Sequence, residues 1–579
     1  MIPHTEWLID RGEAVARGGM VAAKTALAAT TGVEILRQGG NAIDAAVATA
    51  FAAAVIEPWM NGIGGGGYLV MQAPSQVPLV VEFPMIAPAG ATPEMFPLSG
   101  KGPDSALFGW PAVTDQANIY GHRAVAVPGL VAGLALALER FGTISLERAL
   151  TPAITFAADG VPVTWHTTLT IARDLATLVR FPATAEIFCP GGIPPTTVEQ
   201  AKPTMLRQPD LARTLATIAR EGSRTFYEGP LAAAMVSRLA EHGAPFRDQD
   251  FSTYNAVVRP ALTTDYHGRQ IATVGGGSGG TTLVESLNLL AALGVGALGH
   301  NTPEAIHRMT QSFRQAFADR FAYLADPAFI DVPIDTLTDP AYARERAAEF
   351  PRDRLGPVAA GPAGRLAISH GLAPSIPDYF TNSGQMAGGS TTHLSVIDAN
   401  GVAVSITQTL LSLWGSRVVV PGTGILLNNG MMWFDPEPGR PNSVVGGKQP
   451  LSNMAPVIVS LAGRPIASLG ASGGRRIMNC NAQLLMNMID HALTMQPAIS
   501  APRIDASTAE LLVSQRLPEA TRAALAVREH RIAVRDERLL TGDFASPVGI
   551  QLTPDGLFLG GADPWYMPAA AIGVAANAE

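Results

Sequence analysis

One pair of alternating segments constrains the fold of this chain more than any other feature. Residues 391–398 alternate in character, Asn400 and Gly401 follow, and residues 402–410 alternate again. Asn-Gly is the strongest short signal for a tight hairpin turn, and the side chains of a strand alternate between the two faces of its sheet. The pattern therefore predicts two antiparallel strands, with the first residue of the hairpin opposite positions 408–410, to within one residue.

The segment before this hairpin lacks apolar periodicity. Residues 351–390 are polar, rich in Pro and Gly, and end in Gly-Gln-Met-Ala-Gly-Gly-Ser, which predicts a mobile stretch. Such a segment suits self-cleavage, because the Thr391 hydroxyl must reach the carbonyl of Ser390 and the upstream residues must be free to leave. The freed α-amine would have a pKa of about 7.7–8.0 and could act as the general base. The competing interpretation is an ordinary strand start, since threonine favours strands.

The rest of the chain alternates between helical and extended patterns. An alanine-rich run from Asn41, a predicted N-cap, to Pro58 predicts a buried helix. Further predicted helices lie at 129–139, 144–159, 208–220, 229–242, 281–293, 303–325 and 479–493, and predicted strands at 68–72, 269–274, 417–420, 425–427, 456–461 and 465–469. Because a chain of 579 residues is too long for one compact core, we expect two or more cooperating halves.

Composition excludes several classes of protein. The net charge of -8 comes without a basic patch, which argues against a nucleic-acid partner. The longest apolar stretch, residues 45–56, is too short to span a bilayer. Cys189 and Cys480 are the only cysteines, too few for a disulfide framework or a zinc site. With no apolar signal core in the first twenty residues, we expect a cytoplasmic protein without a membrane partner or metal.

A series of segments, in one order, resembles the γ-glutamyltranspeptidase family of N-terminal-nucleophile hydrolases, including its cephalosporin-acylase-like branch. The segments are GGNAIDAAVATAFAAAVIEP with GIGGGG, AVPGLVAGLALALERFGT, GGGSGGTT, TTHLSVIDANGVAVSITQT, PGTGILLNN, PLSNMAP, GASGGRRI and APRI. Together they cover nearly the whole chain and are far more specific than any single motif.

The resemblance implies an α+β fold, a four-layer αββα sandwich of the N-terminal-nucleophile hydrolase type. It also implies two fragments, residues 1–390 and 391–579, that pair as a heterodimer with or without further assembly. The substrate would be a small-molecule amide, and the chemistry calls for neither a metal nor an organic cofactor.

The resemblance also assigns catalytic roles. Thr391 corresponds to the threonine that cleaves the precursor after Ser390 and later forms the acyl-enzyme, and Thr409 corresponds to the second threonine that supports it. Gly473 and Gly474 match the glycine pair whose backbone N–H groups form the oxyanion hole. Adjacent glycines suit that role because the backbone can approach an oxyanion closely.

Substrate-binding positions follow in the same way. Ser452 and Asn453 match the polar pair that helps to hold the acyl group, and Asn429, with Asn428 beside it, falls in the neighbouring loop. Trp433, with Met431 and Met432, is a candidate for the pocket lining, although such residues are equally common in plain cores. Arg417 and Arg475 are candidates to meet a substrate carboxylate, with a structural role as the alternative.

Four positions depart from the family pattern. Genuine γ-glutamyl enzymes hold the glutamyl carboxylate with an arginine where this chain has Pro84. They hold the α-amino group with Asn, Gln and Asp where this chain has Leu411, Gly430 and Trp433. A zwitterion desolvated without these partners would bind poorly. We therefore expect a non-γ-glutamyl acyl donor, with a true γ-glutamyltranspeptidase or glutathione hydrolase as the alternative.

Three other interpretations compete. Residues 276–280 satisfy the G-x-S-x-G pattern of a serine hydrolase with Ser278 as nucleophile. Residues 62–67 fit a dinucleotide fingerprint, but they follow a helix and precede a strand, which is the reverse of the required order. A non-catalytic scaffold is the third alternative, and the retained Thr391 and Thr409 argue against it.

Overall fold

The computed structural model describes residues 9–104, 109–363, 389–537 and 543–575. Its strands are β1 (Ala14–Ala16), β2 (Gly19–Ala23), β3 (Gly66–Gln72), β4 (Leu79–Phe83), β5 (Leu98–Pro103), β6 (Pro111–Val113), β7 (Val161–Pro162), β8 (Met205–Leu206), β9 (Val257–Pro260), β10 (Leu262–Tyr266), β11 (Arg269–Thr273), β12 (Gly389–Asp398), β13 (Ala403–Ser412), β14 (Val419–Val420), β15 (Ile425–Leu426), β16 (Val457–Leu461), β17 (Arg464–Ser472), β18 (Ile504–Asp505), β19 (Leu511–Ser514), β20 (Ile532–Arg535), β21 (Ser546–Leu552), β22 (Phe558–Ala562) and β23 (Ala570–Gly573).

The α-helices are α1 (Ala26–Arg37), α2 (Ala42–Ile56), α3 (Leu130–Phe141), α4 (Leu146–Asp159), α5 (Trp165–Leu178), α6 (Pro182–Phe188), α7 (Pro209–Glu221), α8 (Pro230–Glu241), α9 (Asp248–Ser252), α10 (Gly279–Ala292), α11 (Pro303–Tyr323), α12 (Ile334–Leu337), α13 (Pro340–Ala348), α14 (Arg476–Ile489), α15 (Met495–Ser500) and α16 (Glu519–Val527). No helix within the described ranges is both long and apolar enough to cross a bilayer.

Two seven-stranded antiparallel sheets form the centre of the molecule. Sheet A has the strand order β1-β22-β21-β17-β16-β11-β10, and sheet B has the order β23-β2-β12-β13-β3-β4-β9. Helices α1 to α4 and α7 pack on the outer face of sheet B, and α10, α11 and α14 pack on that of sheet A. A third apolar cluster fills the space between the sheets. The predicted four-layer αββα sandwich is therefore confirmed.

Each sheet contains strands from both sides of the predicted cleavage point. In sheet B, β12 and β13 lie between β2 and β3, which come from the first few dozen residues. In sheet A, β16 and β17 lie between β11 and β21. Because the strands interleave, neither part can form a complete sheet alone.

The sequence predicted the longest elements well. Asn41 caps α2 through a reciprocal pair of hydrogen bonds with Asp44, and the hairpin turns at Asn400 and Gly401 as expected. Other parts differ: β12 begins at Gly389 instead of 391, and only Val419–Val420 of the predicted 417–420 strand forms a ladder. Several elements were not predicted at all, among them α1, α5, β2, β4, β21 and β22. Of the stretch predicted to be mobile, residues 364–388 lie outside the described residues.

Candidate active site

The ladder between β12 and β13 is irregular at Thr391. Ser390 pairs with Leu411 and Thr392 pairs with Gln408, so β13 carries one extra residue opposite Thr391. A bulge of this kind bends the strand locally and redirects a side chain, and bulges are common next to active sites. The register predicted from the Asn-Gly turn is confirmed.

Two threonine hydroxyls meet at one carbonyl group. The Thr391 Oγ1 lies 2.7 Å from the carbonyl oxygen of Ser390, and the Thr409 hydroxyl donates a hydrogen bond to the same oxygen. The N–H of Leu411 donates to Thr409 Oγ1 at 2.7 Å, which fixes the direction of the second hydroxyl. Both threonines are buried. The site therefore brings a hydroxyl against the preceding peptide carbonyl and polarises that carbonyl.

The glycine run at residues 62–67 lets the chain pack tightly behind Thr409. A Cβ atom on Gly65 would lie 2.2 Å from the carbonyl oxygen of Thr409, and one on Gly67 would lie 2.5 Å from that of Thr407. Any larger residue would push β3 away from β13. The run therefore serves close packing of the backbone. Its position between a helix and a strand is, as the sequence indicated, not that of a dinucleotide-binding loop.

Gly473 and Gly474 form a sharp bend between β17 and α14. Their φ angles are +145° and +62°, and a Cβ atom on Gly473 would lie 2.7 Å from the Cα of Ala545. Both positions therefore favour glycine, the first on steric grounds as well. The bend precedes the N-terminus of a 14-residue helix, whose partial positive charge favours a developing anion.

Contacts between the sheets show which ends of β12 and β17 coincide. Ser468 Oγ donates to the carbonyl of Val404, which pairs with Val396 in β12. His393, closer to the start of β12, fits against Gly470, where a Cβ atom would lie 2.3 Å from the imidazole Cε1. Positions toward the start of β12 thus meet positions toward the end of β17. The first threonine and the glycine pair accordingly lie at the same end of the sandwich.

A buried arginine holds the polar pair in place. Arg320 Nη2 donates to the Ser452 carbonyl at 2.6 Å and to Asn453 Oδ1 at 3.0 Å, while Nη1 donates to the Ser278 carbonyl at 3.1 Å. Burial, with the nearby Arg475 charge, lowers the pKa of Arg320 to about 9. Sequence reasoning missed Arg320, whose only signal is an arginine within an aromatic-rich helical stretch. Within the described chain, Asn453 Nδ2 has no hydrogen-bond partner.

Asn428 and Asn429 are bound by the protein itself. Asn428 Oδ1 accepts from the backbone N–H of Ala126 and of Gly430. Asn429 accepts from the Ser412 N–H at 3.1 Å and donates to the Ser412 hydroxyl at 2.7 Å. These amides fix the end of β13 and the short helix Gly430–Trp433. Substrate binding by Asn429 stays a prediction.

Two of the four positions that depart from the family pattern lie in an apolar region. Leu411 and Trp433 are buried in the same cluster as Met431 and Met85. Leu411 has a φ of +95°, a conformation that costs a leucine about 1–3 kcal/mol. The indole N–H of Trp433 is buried and has no acceptor among the residues that the structure describes. The region formed by these side chains, here called the apolar wall, therefore offers one hydrogen-bond donor, the Trp433 indole N–H.

Comparison with known proteins identifies the family. The sequence model described as Gamma-glutamyltranspeptidase matches residues 28–573 of the chain. The chain belongs to the γ-glutamyltranspeptidase family. It is 36% identical to the Acylase ACY 1 proenzyme of Pseudomonas sp. (strain V22), over 96% of this chain and 94% of that protein. It is 33% identical to the Glutathione hydrolase proenzyme of Escherichia coli (strain K12), over 95% and 90% of the two chains.

A solved structure agrees with this assignment. The crystal structure of cephalosporin acylase from Bacillus halodurans matches with a TM-score of 0.83 at 26% identity, over 99% of each chain. The chain is therefore an enzyme of the N-terminal-nucleophile hydrolase type, an amidohydrolase or acyltransferase. The scaffold alternative is wrong on this count.

The serine-hydrolase alternative does not fit this member of the γ-glutamyltranspeptidase family. Ser278 caps α10, donates to the Val274 carbonyl at 2.9 Å and accepts from the Gly280 N–H at 3.1 Å. Its side chain is buried, and the preceding strand β11 is antiparallel to both neighbours. The serine is a helix cap in a fold that is not an α/β-hydrolase.

The two arginines considered as carboxylate ligands have partners in the protein. Arg417 pairs with Asp174 at 3.1 Å and lies 4.6 Å over the ring of Tyr120. Arg475 donates to the Ser507 carbonyl. Both side chains are buried, which agrees with the structural role given as the alternative.

Two buried ionisable groups near Thr391 were not predicted from the sequence. Glu57 accepts a hydrogen bond from the Thr392 hydroxyl, and burial raises its pKa to about 7 against the opposing effects of that hydroxyl and of Lys24. Burial lowers the pKa of Lys24 to about 8, an effect that Asp563 and Glu57 oppose. In sequence, Glu57 looks like an ordinary polar residue at a helix end.

Proposed function

We propose that this enzyme cleaves its own chain between Ser390 and Thr391 and then hydrolyses amides through an acyl ester on Thr391. The fragments, residues 1–390 and 391–579, remain paired as a heterodimer. Their pairing is supported by the interleaved strands of both sheets, which neither fragment can complete alone. Both acylase and glutathione hydrolase relatives carry the word proenzyme in their names.

One observation carries the proposal: the Thr391 hydroxyl lies 2.7 Å from the Ser390 carbonyl oxygen, and the Thr409 hydroxyl donates to that same oxygen. Attack of Thr391 Oγ on this carbonyl carbon forms a tetrahedral oxyanion, which Thr409 stabilises. Collapse breaks the bond between the Ser390 carbonyl carbon and the Thr391 nitrogen, which takes up the proton of the hydroxyl and becomes the new α-amine, and leaves Ser390 as an ester on Thr391 Oγ. Water then hydrolyses this ester, which releases Ser390 as a carboxylate and restores the Thr391 hydroxyl.

The freed α-amine of Thr391 then acts as the general base and acid when the enzyme hydrolyses its substrate. It takes the hydroxyl proton as Oγ attacks the substrate carbonyl and returns a proton to the leaving amine. The N–H groups of Gly473 and Gly474 stabilise the oxyanion, a contribution of about 3–4 kcal/mol for a typical donor. Water resolves the acyl ester.

The apolar residues near Thr391 indicate which class of acyl donor the enzyme binds. Leu411, Gly430 and Trp433 offer no charged partner for a zwitterionic head group. Ser452, Asn453, Asn429 and Trp433 form the substrate-binding set, and the unpartnered Asn453 amide and Trp433 indole N–H suit an acceptor on the acyl group. We therefore assign a non-γ-glutamyl donor, in line with the acylase relative.

The second candidate is a glutathione hydrolase, which the 33% identity to the Escherichia coli enzyme favours. Its substrate would need partners for an α-amino and an α-carboxylate group. A substrate panel separates the two candidates: γ-glutamyl anilide, glutaryl and other dicarboxylic amides, and simple acyl amides. A strong preference for γ-glutamyl anilide would overturn the assignment of the acyl donor.

The cleavage itself is tested by heating purified enzyme in SDS and sequencing the products from their N-termini. We expect two bands, the smaller beginning Thr-Thr-His-Leu, and a single band with no turnover for Thr391→Ala. A Thr391→Ala chain that still splits would show that another group performs the cleavage.

A further inference from the structure

A turn directly after α2 holds the residue that precedes the nucleophile. We call residues 57–60 the 57–60 turn; it is closed by a hydrogen bond from the Met60 N–H to the Glu57 carbonyl at 2.9 Å. The Ser390 hydroxyl lies 2.7 Å from the carbonyl oxygens of both Trp59 and Met60. The turn therefore fixes the acyl side of the peptide bond to be cleaved.

The same turn also holds the residue that follows the nucleophile. The Thr392 hydroxyl donates to the carboxylate of Glu57, and both side chains are buried. Hydrogen bonds to ionised acceptors are shorter and stronger than those between neutral groups. A buried carboxylate is costly unless it is paired and hydrogen-bonded. Glu57 thus replaces part of its lost hydration with a contact to the nucleophile strand.

Lys24 connects this carboxylate to the other catalytic segment. Its ammonium group is fully buried, acts electrostatically on Glu57 and donates to the Ser546 hydroxyl. Ser546 pairs with Ser472, the residue immediately before the glycine bend. The charge that compensates Glu57 therefore lies between the nucleophile strand and the end of β17.

We propose that Glu57 is a positioning residue, which holds Thr392 so that the neighbouring Thr391 hydroxyl stays aligned for attack. The inference rests on the proposed self-cleavage. Ser390 and Thr392, which flank Thr391, are both hydrogen-bonded to the 57–60 turn. The peptide bond between Ser390 and Thr391, and the Thr391 side chain itself, therefore have little freedom to rotate. Misplacement of a reacting group by about 1 Å can cost about a hundredfold in rate.

The two contacts differ in how long they last. Cleavage frees Ser390 as the end of the upstream fragment, whereas the bond between Glu57 and Thr392 joins the two fragments and persists. Glu57 should therefore matter for cleavage and for turnover. Because Glu57 does not touch the substrate, its loss should lower kcat and leave KM unchanged.

The test uses the full chain and follows the appearance of the two fragments with time. At a pH of about 8.5, where Glu57 is ionised because its pKa is about 7, we expect Glu57→Gln to slow cleavage about fivefold, the difference between a charged and a neutral acceptor, and Thr392→Val about tenfold. Thr392→Ser, which keeps the hydroxyl, should cleave at nearly the parental rate. In the Glu57→Gln/Thr392→Val double variant the effects should not multiply, because both remove one interaction.

Glu537→Gln is the matched control. Glu537 is also buried, accepts from the Ser514 hydroxyl and pairs with Arg516, but it lies outside the proposed site. The Glu537→Gln substitution should lower the melting temperature of the chain without slowing its cleavage. If Glu57→Gln fails to fold, the comparison of Thr392→Val with Thr392→Ser decides.

Three outcomes would overturn the inference: parental cleavage rates in Glu57→Gln and Thr392→Val, effects that multiply in the double variant, or equal slowing by Glu537→Gln. An unmodified chain that never yields two bands would refute the proposed function instead. The two failures are therefore distinguishable.

Discussion

The surroundings of Thr391, in the β12–β13 hairpin, are polar and hydrogen-bonded, whereas the neighbouring region around Leu411 and Trp433 is apolar. Around Thr391, buried hydroxyls and the Glu57 carboxylate are held by hydrogen bonds, and the buried Lys24 ammonium acts on that carboxylate electrostatically. Leu411, two residues beyond Thr409 in β13, and Trp433, in the short helix Gly430–Trp433, belong to an apolar cluster. In the proposed mechanism, the reacting groups keep the family pattern while the groups that would select the acyl donor do not.

The contrast is sharpest between two neighbours in β13. Thr409 and Leu411 are joined by a hydrogen bond from the Leu411 N–H to the Thr409 hydroxyl. Thr409 donates through its side chain to the Ser390 carbonyl, the one cleaved in the proposed mechanism, whereas Leu411 contributes only its backbone N–H to that geometry. Leu411 therefore has a side chain that can change without disturbing the chemistry, and Thr409 does not.

The largest effect is expected at Thr409. Thr409→Val keeps the shape of the side chain but removes the donor to the Ser390 carbonyl, so self-cleavage should slow by about 10²–10³-fold, as for loss of an oxyanion-hole donor. Band intensities followed over hours on SDS gels measure the rate. Thr409→Ser is the control and should cleave readily; equal rates for the valine and parental chains would remove Thr409 from the mechanism.

A smaller effect is expected at Leu411. Asparagine, the residue of genuine γ-glutamyl enzymes here, tolerates positive φ far better than leucine, so Leu411→Asn should fold at least as stably and cleave itself normally. We expect the ratio of kcat/KM for simple acyl amides to that for γ-glutamyl anilide to fall about 10–100-fold. Leu410→Met, at a buried neighbour in another cluster, should leave the ratio unchanged. An unaltered ratio in Leu411→Asn would show that the acyl group does not contact this wall.

The features of the fold that could be predicted from the sequence depend on neighbouring residues, and those that could not be predicted depend on distant contacts. Local signals specified α2 through its Asn41 cap and the hairpin through its Asn-Gly turn, because both depend on near neighbours in sequence. The bulge opposite Thr391 lies where β13 also pairs with β3, and no local sequence pattern predicts it. The first strand residue, Gly389, also escaped prediction because glycines interrupt the alternation.

For the site, resemblance named the residues and the structure gave their partners. Thr409 was expected near Thr391 from the hairpin register, but its hydrogen bond to the Ser390 carbonyl, beside the bulge, was not predicted. Glu57 and Arg320 escaped notice because each comes from a helical segment far away in sequence. A buried charge has no local signature, since its burial is a property of the elements that pack around it.

The smallest effect concerns the polar layer beneath the nucleophile. His393 is buried with its ring nitrogens 2.9 Å from Thr407 Oγ1 and 3.2 Å from Ser395 Oγ, and burial, with the Lys24 charge, lowers its pKa to about 3. The folded chain therefore binds fewer protons than the unfolded chain between pH 3 and 6.5, so stability is present above pH 6.5 and is lost as the pH falls.

Between pH 7.5 and 5.5, His393 should account for a loss of about 1.4 kcal/mol in the free energy of unfolding. His393→Gln should be less stable at pH 7.5, because its hydrogen bonds change, but should lose less stability on acidification than its parent. Urea unfolding in the Thr391→Ala background, where the chain stays in one piece, measures this difference. If both chains lost the same free energy, the imidazole would not be the acid-sensitive group, and the polar layer would respond to pH through its carboxylates instead.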